Sequence, residues 1–366
     1  MKILFALRSL LYGVVCSTLV ALPVHADQSV DKKWFPGHYV YANGVKGVAP
    51  IAPYMIEKAK DNPDFTGYHV RYKWRVLEPE KDVYDFSMIR QDIATAVRDG
   101  KKLIITILDR AHDADHGSPV PDYITTDPIY EGGIYKYAET QAGVAKYMPK
   151  YWVPSVAERV GKLAASIGDE FDDDQTLSYV NTEETALVGA QFQDGFSADA
   201  LRDGYRTIHS IAVTGLKKTL FSQWVNWRGG LTEAGADEIM AALVAQGSGF
   251  GGPDALAVDR ANLPDGTVGA LDNAFGKYYT QYMGIAPITM SAQIPSMDVA
   301  SPLESLNYAI DLLGAHFMTW NPGEGRAWSF DDTITMLRQE GARIKKTPPG
   351  SMVRLPPPTN LELHFE

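Results

Sequence analysis

Two adjacent glutamates, Glu183 and Glu184, follow a short apolar run and carry the side chains that acid–base chemistry uses. A carboxyl group can give a proton to a reacting atom and later take one back. Side chains alternate along an extended chain, so the two should point in opposite directions and only one should face a site. We favour Glu184, because it lies further beyond the end of the apolar run, and keep Glu183 as the alternative. A third interpretation makes both of them solvated loop acids.

Catalysis by paired carboxyl groups would need a second acid from another part of the chain. Asp254 is the first choice, because it follows Gly251-Gly252-Pro253, where the glycines allow a ligand or a neighbouring backbone to come close. An ordinary turn aspartate after proline is an equally good interpretation. Asp109, which follows another apolar run, is the second choice.

The segment from Asp109 to His116 is dense in possible metal ligands, and His112 and His116 would share one face of a helix. It lacks the HExxH pattern of a zinc protease. We interpret it as a solvated polar loop and expect neither a metal ion nor another cofactor.

Short apolar runs alternate with helical patterns along the whole chain, which predicts a parallel sheet with helical crossovers. At this length we expect closure into a single-domain (β/α)8 TIM barrel. An open doubly wound sheet is the alternative, but no glycine-rich phosphate loop follows the first strand. The predicted strands are Gly37–Tyr41, Tyr68–Tyr72, Leu103–Leu108, Leu177–Val180, Thr219–Val225, Gly249–Pro253, Ile288–Ala292 and His316–Trp320.

Several helices have recognisable starts. Ser155 with Glu158 and Ser301 with Glu304 fit capping boxes, and Ser87 opens a helix with apolar residues spaced by four. The connection from Asp109 to Lys150 has no regular pattern, and long loops after barrel strands usually shape the active site.

A barrel gathers the ends of all its strands around one mouth. Arg71 points along the second strand toward that centre, and a buried arginine needs an acidic partner, so we expect it to orient one of the glutamates. The fifth strand ends in Gln223, Trp224 and Asn226, whose alternation leaves open which of them meets a substrate.

Residues 68–87, YHVRYKWRVLEPEKDVYDFS, resemble the second-strand segment of clan-A glycoside hydrolases. The matching residues include Arg71 and Trp74, both of which we expect to contact a substrate. The stretch from Gly100 to Ile107 is similar to that clan's third strand. The resemblance implies a proton-donating glutamate at the end of the fourth strand and a sugar-stacking Trp320 at the end of the eighth. It also implies a carboxylate at the end of the seventh strand, where Gln293 stands instead and could hydrogen-bond a hydroxyl group.

We therefore expect a glycoside hydrolase that uses carboxylate acid–base catalysis on a polysaccharide or oligosaccharide. The alternative is a non-catalytic carbohydrate-binding barrel in polysaccharide assembly or uptake, which the missing seventh-strand acid favours. A lyase that uses tyrosine or histidine as its base is a third hypothesis. The 19 tyrosines and 7 tryptophans suit sugar binding, although they also fill ordinary cores.

The first 26 of the 366 residues read as a secretory signal, with Lys2 and Arg8 before an apolar run and Val24-His25-Ala26 as the cleavage site. We expect an exported protein, periplasmic or extracellular, without a membrane span after cleavage. The barrel should cover residues 27–346, followed by a proline-rich tail, extended and acting as a linker or a mobile end, over 347–366. A net charge of −11 argues against nucleic acid as a partner.

Overall fold

The computed structural model describes residues 32–42, 53–110, 118–139, 143–253, 255, 270–292, 301–321 and 328–352. Several sequence predictions fall outside these ranges: the export signal, His112 and His116, Asp254, Gln293 and the last part of the tail.

Eight parallel strands close into a barrel, and their order around it follows their order along the chain. The first strand pairs with both the second and the last, which completes the closure. All eight strands predicted from the sequence are present, so the TIM-barrel prediction is confirmed. The barrel strands are β1 (Gly37–Tyr41), β2 (Phe65–Lys73), β3 (Lys102–Leu108), β6 (Leu177–Thr182), β7 (Leu220–Trp224), β8 (Gly249–Gly252), β9 (Ile288–Ala292) and β10 (Phe317–Trp320).

Helices follow the strands and cover the outside of the barrel. Among the described residues none of them is long and apolar enough to cross a membrane. They are α1 (Pro53–Ala59), α2 (Trp74–Leu77), α3 (Ser87–Arg98), α4 (Asp122–Thr126), α5 (Pro154–Phe171), α6 (Ala198–Gly215), α7 (Glu233–Ala245), α8 (Gly276–Tyr282), α9 (Pro302–Asn307) and α10 (Phe330–Glu340).

Two helix starts test the predicted capping boxes. Ser301 and Glu304 form the reciprocal pair at the start of α9, as predicted. The prediction for Ser155 was wrong, because Pro154 occupies the first helical position and Val153 precedes the helix without a side-chain cap. Proline suits that position, since its missing N–H would have no intrahelical partner there.

The third connection contains regular structure that the sequence pattern did not reveal. Its strands β4 (Ile134–Glu139) and β5 (Ala145–Pro149) pair as an antiparallel hairpin. The beginning of the predicted tail lies against the barrel. Gly350 and Ser351 donate backbone hydrogen bonds to Gly284 and Ile285, which fixes this part of the tail beside the start of β9.

The interior of the barrel is arranged in layers along its axis. An apolar layer near the beginning of the strands contains Tyr39, Ile104, Tyr179, Leu220 and Phe317, with Trp34 packed against it. Side chains two residues further along each strand point the same way, and they form a polar layer above it.

His69 lies at the centre of that polar layer. Its ring nitrogens contact the hydroxyls of Thr319 at 3.0 Å and Thr106 at 2.6 Å, and Thr106 donates to Asn181 at 2.5 Å. Burial, and then the charge of Arg71, lowers the pKa of His69 to about 3, so the ring is neutral. Two residues beyond this layer, the strands reach the mouth of the barrel.

The glycines of β8 allow this strand to pack closely against its neighbour β9. A Cβ atom on Gly251 would lie 1.5 Å from the backbone oxygen of Thr289 on β9. Glycine is therefore required at this position by the neighbouring backbone.

Candidate active site

An ion pair between Glu183 and Arg71 lies at the mouth of the barrel. Glu183 continues the inward-facing series Tyr179 and Asn181 one step past the end of β6, and its Oε1 is 3.1 Å from Nε of Arg71. The Glu183 side chain is completely buried and that of Arg71 is 13% exposed. Alternation along β6 thus places Glu183, rather than the favoured Glu184, against the inward arginine.

Electrostatics favour the charged form of Arg71. Burial lowers the pKa of Arg71, but the attraction of Glu183, then of Tyr41 and Glu184, outweighs it and leaves that pKa above its ordinary value. The expectation that Arg71 contacts one of the two glutamates is met by this geometry.

Two aromatic rings enclose the guanidinium group of Arg71. Its Cζ lies 5.0 Å from the ring centre of Tyr41 and 5.4 Å from that of Trp224, within the range of cation–π attraction. The ring of His69 supports both from below, at 5.2 Å and 5.6 Å. Trp224 therefore faces the inside of the barrel, and its buried Nε1 has no acceptor among the described residues.

Glu184 has a different environment from that of its neighbour. It is partly exposed, and its Oε2 accepts a 3.1 Å hydrogen bond from Nδ2 of Asn226. Asn226 in turn accepts a 3.2 Å hydrogen bond from Asn273, which fixes its amide orientation. A neutral hydrogen-bond donor thus holds the more accessible of the two carboxyl groups.

Gln223 lies on the outer face of the barrel, so of the two sets that alternation left open it belongs to the one that faces away from the mouth. Its Nε2 donates to the backbone oxygens of Glu183 at 2.6 Å and Trp224 at 2.7 Å. Its Oε1 accepts from Thr182 at 2.7 Å and contacts Nε2 of His209 at 3.2 Å. These contacts use the whole hydrogen-bonding capacity of the buried amide, so Gln223 holds the ends of β6 and β7 together.

Asp109, the second choice for the second carboxylate, is fully buried beside Arg110 and Tyr151. Nε of Arg110 lies 2.8 Å from Oδ1 of Asp109, and the Tyr151 hydroxyl donates to the same carboxylate. Arg110 also donates to the backbone oxygen of Ala186 at 3.2 Å. The cluster therefore links the third connection to the segment that follows Glu184, and it presents no carboxylate to the mouth.

Trp320 and Trp74 are core residues, which corrects their predicted contact with a substrate. Because Phe317 faces inward, alternation turns Trp320 outward, where its Nε1 donates to Nδ1 of His38 at 3.2 Å. Trp74 donates to Glu78 at 2.9 Å, and Arg159 of α5 pairs with the same glutamate. Both tryptophans are completely buried. The conspicuous second-strand motif thus fastens α2 to α5.

Solved structures with similar folds include carbohydrate-active enzymes. The chain superposes on the catalytic domain of a β-amylase from Paenibacillus polymyxa with a TM-score of 0.59 at 9% identity, over 86% of this chain and 100% of that one. This chain has the fold of the (β/α)8-barrel glycoside hydrolases.

Two further solved structures with a similar fold belong to enzymes with other activities. A β-galactosidase from the psychrophilic Marinomonas ef1 gives a TM-score of 0.55 at 8% identity, over 82% of this chain and 59% of that one. Endo-glycoceramidase II from Rhodococcus sp., in its ganglioside GM3 complex, gives 0.54 at 14% identity, over 83% and 78%. No family model and no curated protein matches the sequence.

Within the glycoside-hydrolase fold, the chain departs from the expected pattern at the seventh barrel strand. The described part of β9 ends at Ser291 and Ala292 and carries no acidic residue. Groups of three or more His, Cys, Asp or Glu side chains that could hold a metal ion are absent from the described ranges.

The hairpin of the third connection completes the site from one side. The Tyr135 hydroxyl on β4 donates to the backbone oxygen of Val188 at 3.1 Å, and its ring packs against Trp152 at 5.4 Å. Burial raises the pKa of Tyr137, on the same strand. The charge of Arg110 lowers that pKa and the charge of Glu184 raises it. The hairpin is thus held against the segment that carries Glu184.

Proposed function

We propose that this protein is a glycoside hydrolase that cleaves a polysaccharide or oligosaccharide, with Glu184 as the proton donor. The observation that carries the proposal is the contrast between two adjacent carboxyl groups. Glu184 is partly exposed and bound by the neutral Asn226, whereas Glu183 is buried against Arg71. Environments that treat two carboxyl groups differently are the usual basis of separate acid and anion roles.

Each group then has a defined task. We assign proton donation to the leaving-group oxygen to Glu184, because its side chain is partly exposed, lies near enough to Arg71 to raise that residue's pKa, and is bound by a neutral partner. In this proposal Glu183, paired with Arg71, supplies a carboxylate beneath the site, and its negative charge favours an oxocarbenium-like transition state.

The second catalytic carboxyl group is assigned to Asp254, beyond the end of β8. In a closed barrel the ends of β8 and β6 belong to the same mouth. Retaining enzymes separate the two carboxyl groups by about 5–5.5 Å and inverting enzymes by about 6.5–9.5 Å, so product stereochemistry reports the separation.

A non-catalytic carbohydrate-binding barrel is the second candidate function. The absence of an acidic residue from the described part of β9 favours it, as do the partners that neutralise Glu183 and Asp109. Such a protein would bind sugars through the same mouth without turning them over.

We also propose that the protein is exported, with the mature chain beginning at Asp27. The support is the signal-like pattern of residues 1–26.

Incubation of the full mature protein with a panel of polysaccharides and oligosaccharides, followed by sizing of the products, separates the two functions. Hydrolysis of any member, with the anomeric form of the first product read by NMR, supports the hydrolase and fixes its stereochemistry. Binding without hydrolysis across the panel supports the binding barrel.

A further inference from the structure

Trp227 is the most exposed tryptophan of the chain. Its side chain is 44% exposed, on the loop that follows β7. Five other tryptophans are at most 5% exposed, and Trp34 packs partly buried under the apolar layer of the barrel. A single exposed apolar side chain is common on protein surfaces, but an indole also offers a flat face on which a ligand can stack.

The backbone around Trp227 is fixed to the segment that carries Glu184. The buried Thr185 hydroxyl donates to the backbone oxygen of Trp227 at 2.9 Å and accepts from the backbone N–H of Asn226 at 3.1 Å. The backbone N–H of Thr185 also donates to the backbone oxygen of Trp224 at 3.1 Å. The exposed ring therefore sits on a braced backbone rather than on a loosely attached loop.

The same bracing fixes the backbone of Trp227 close to the segment that carries the proposed proton donor. Trp227 follows directly after Asn226, whose side chain holds the carboxyl group of Glu184. An exposed aromatic ring on the same braced segment as an acid–amide pair supplies the two kinds of group that a sugar subsite needs, because the apolar C–H face of a pyranose can lie on the ring while its hydroxyls reach polar groups.

We propose that Trp227 is a stacking platform for a pyranose unit next to the bond that Glu184 protonates. The position of the stacked sugar relative to the cleaved bond rests on the proposed function. The stacking itself requires only that a sugar binds. It adds an exposed aromatic subsite at the fifth barrel strand, distinct from the buried Trp224 and Trp320.

Titration calorimetry on the full mature chain tests the platform with five probes: cellohexaose, xylohexaose, laminarihexaose, mannohexaose and maltohexaose. The measurements use Glu184→Gln protein to limit turnover, with and without a second change at Trp227. For each probe that binds, we expect Trp227→Ala to raise the Kd roughly tenfold, which is the usual scale of an aromatic contact. Trp227→Phe should keep most of the affinity.

Trp227→Leu is the matched control, because it keeps apolar bulk without a flat ring. It should behave like the alanine variant, and all three variants should retain the parent's unfolding temperature because the ring is exposed. Unchanged affinity in the alanine variant, full affinity in the leucine variant, or binding of none of the five probes would overturn the proposal.

The outcomes also separate this proposal from the proposed function. Affinity that depends on Trp227, in a protein whose wild type hydrolyses nothing, supports the platform and contradicts the hydrolase. Hydrolysis that is lost in Glu184→Gln but unaffected by Trp227→Ala, in both KM and Kd, supports the hydrolase and contradicts the platform.

Discussion

Arg71 lies 3.1 Å from Glu183 inside the mouth of the barrel, and the carboxyl side chain has no exposed surface. Removing one member of a buried ion pair leaves an uncompensated charge, which typically costs about 3–5 kcal/mol. We therefore expect Arg71→Met to lower the free energy of unfolding by about that amount, measured by urea denaturation.

Two comparisons make the test specific. Arg71→Met combined with Glu183→Gln removes both charges and should recover much of the lost stability. Arg90→Met breaks the more exposed pair with Glu170 and should cost no more than about 1 kcal/mol. A free energy of unfolding for Arg71→Met equal to that of Arg90→Met would contradict the role given to the pair.

Gln223 should act on catalysis through Glu183 rather than through contact with substrate. Gln223→Met removes the donors to the backbone oxygens of Glu183 and Trp224. We expect a loss of stability of about 1–3 kcal/mol for each buried group left unsatisfied. Steady-state kinetics should show a lower kcat with little change in KM. A raised KM with an unchanged kcat would instead indicate direct substrate binding.

Acid should destabilise the protein through its buried histidines. Burial lowers the pKa of His69 to about 3 and those of His38, His209 and His316 to about 4 from the ordinary 6.5. Above pH 6.5 both folded and unfolded states are neutral at these positions. As the pH falls from 6.5 toward 4, these histidines bind protons in the unfolded chain but not in the folded chain, so the free energy of unfolding falls.

Thermal unfolding across that pH range checks the sign. His316→Phe removes one of the four groups and should make the dependence shallower. A stability that is constant, or that rises, between pH 6.5 and pH 4 would show that these rings are not held neutral by the fold.

Export makes a prediction about the mature chain. Intact-mass measurement of protein recovered outside the cytoplasm of its native cell should give a chain that begins at Asp27, because small residues precede that position in a signal-like pattern. A mass that includes residues 1–26 would contradict the proposal.

The fold could be predicted from the sequence because barrel strands buried on both faces leave continuous apolar runs, such as residues 103–108. Hairpin strands β4 and β5 left no such signal, since much of their surface is partly exposed and their pattern is irregular. Ser155 shows the same limit for helix starts, where the proline before it decided the boundary.

The site was only partly predictable, and alternation explains which part. Alternation assigns every side chain of a strand to a face once one inward residue of that strand is known. Asn181 faces inward, which places Glu183 on the inward face. Phe317 faces inward, which places Trp320 on the outward face. That starting residue comes from packing across the barrel, which the sequence does not provide. The Trp74–Glu78–Arg159 cluster was missed for a related reason, since its members come from distant segments.

Turnover by Glu184→Gln, on the polysaccharide or oligosaccharide that the wild type hydrolyses, tests the central claim most directly. Glu170→Gln is the matched control, because Glu170 lies near the end of α5, at the opposite end of the barrel. We predict that kcat/KM falls by about 10²–10⁴-fold in Glu184→Gln, with loss of the alkaline limb of its pH profile, while Glu170→Gln matches the wild type. Wild-type kcat/KM in Glu184→Gln would contradict the assignment of Glu184 as the proton donor.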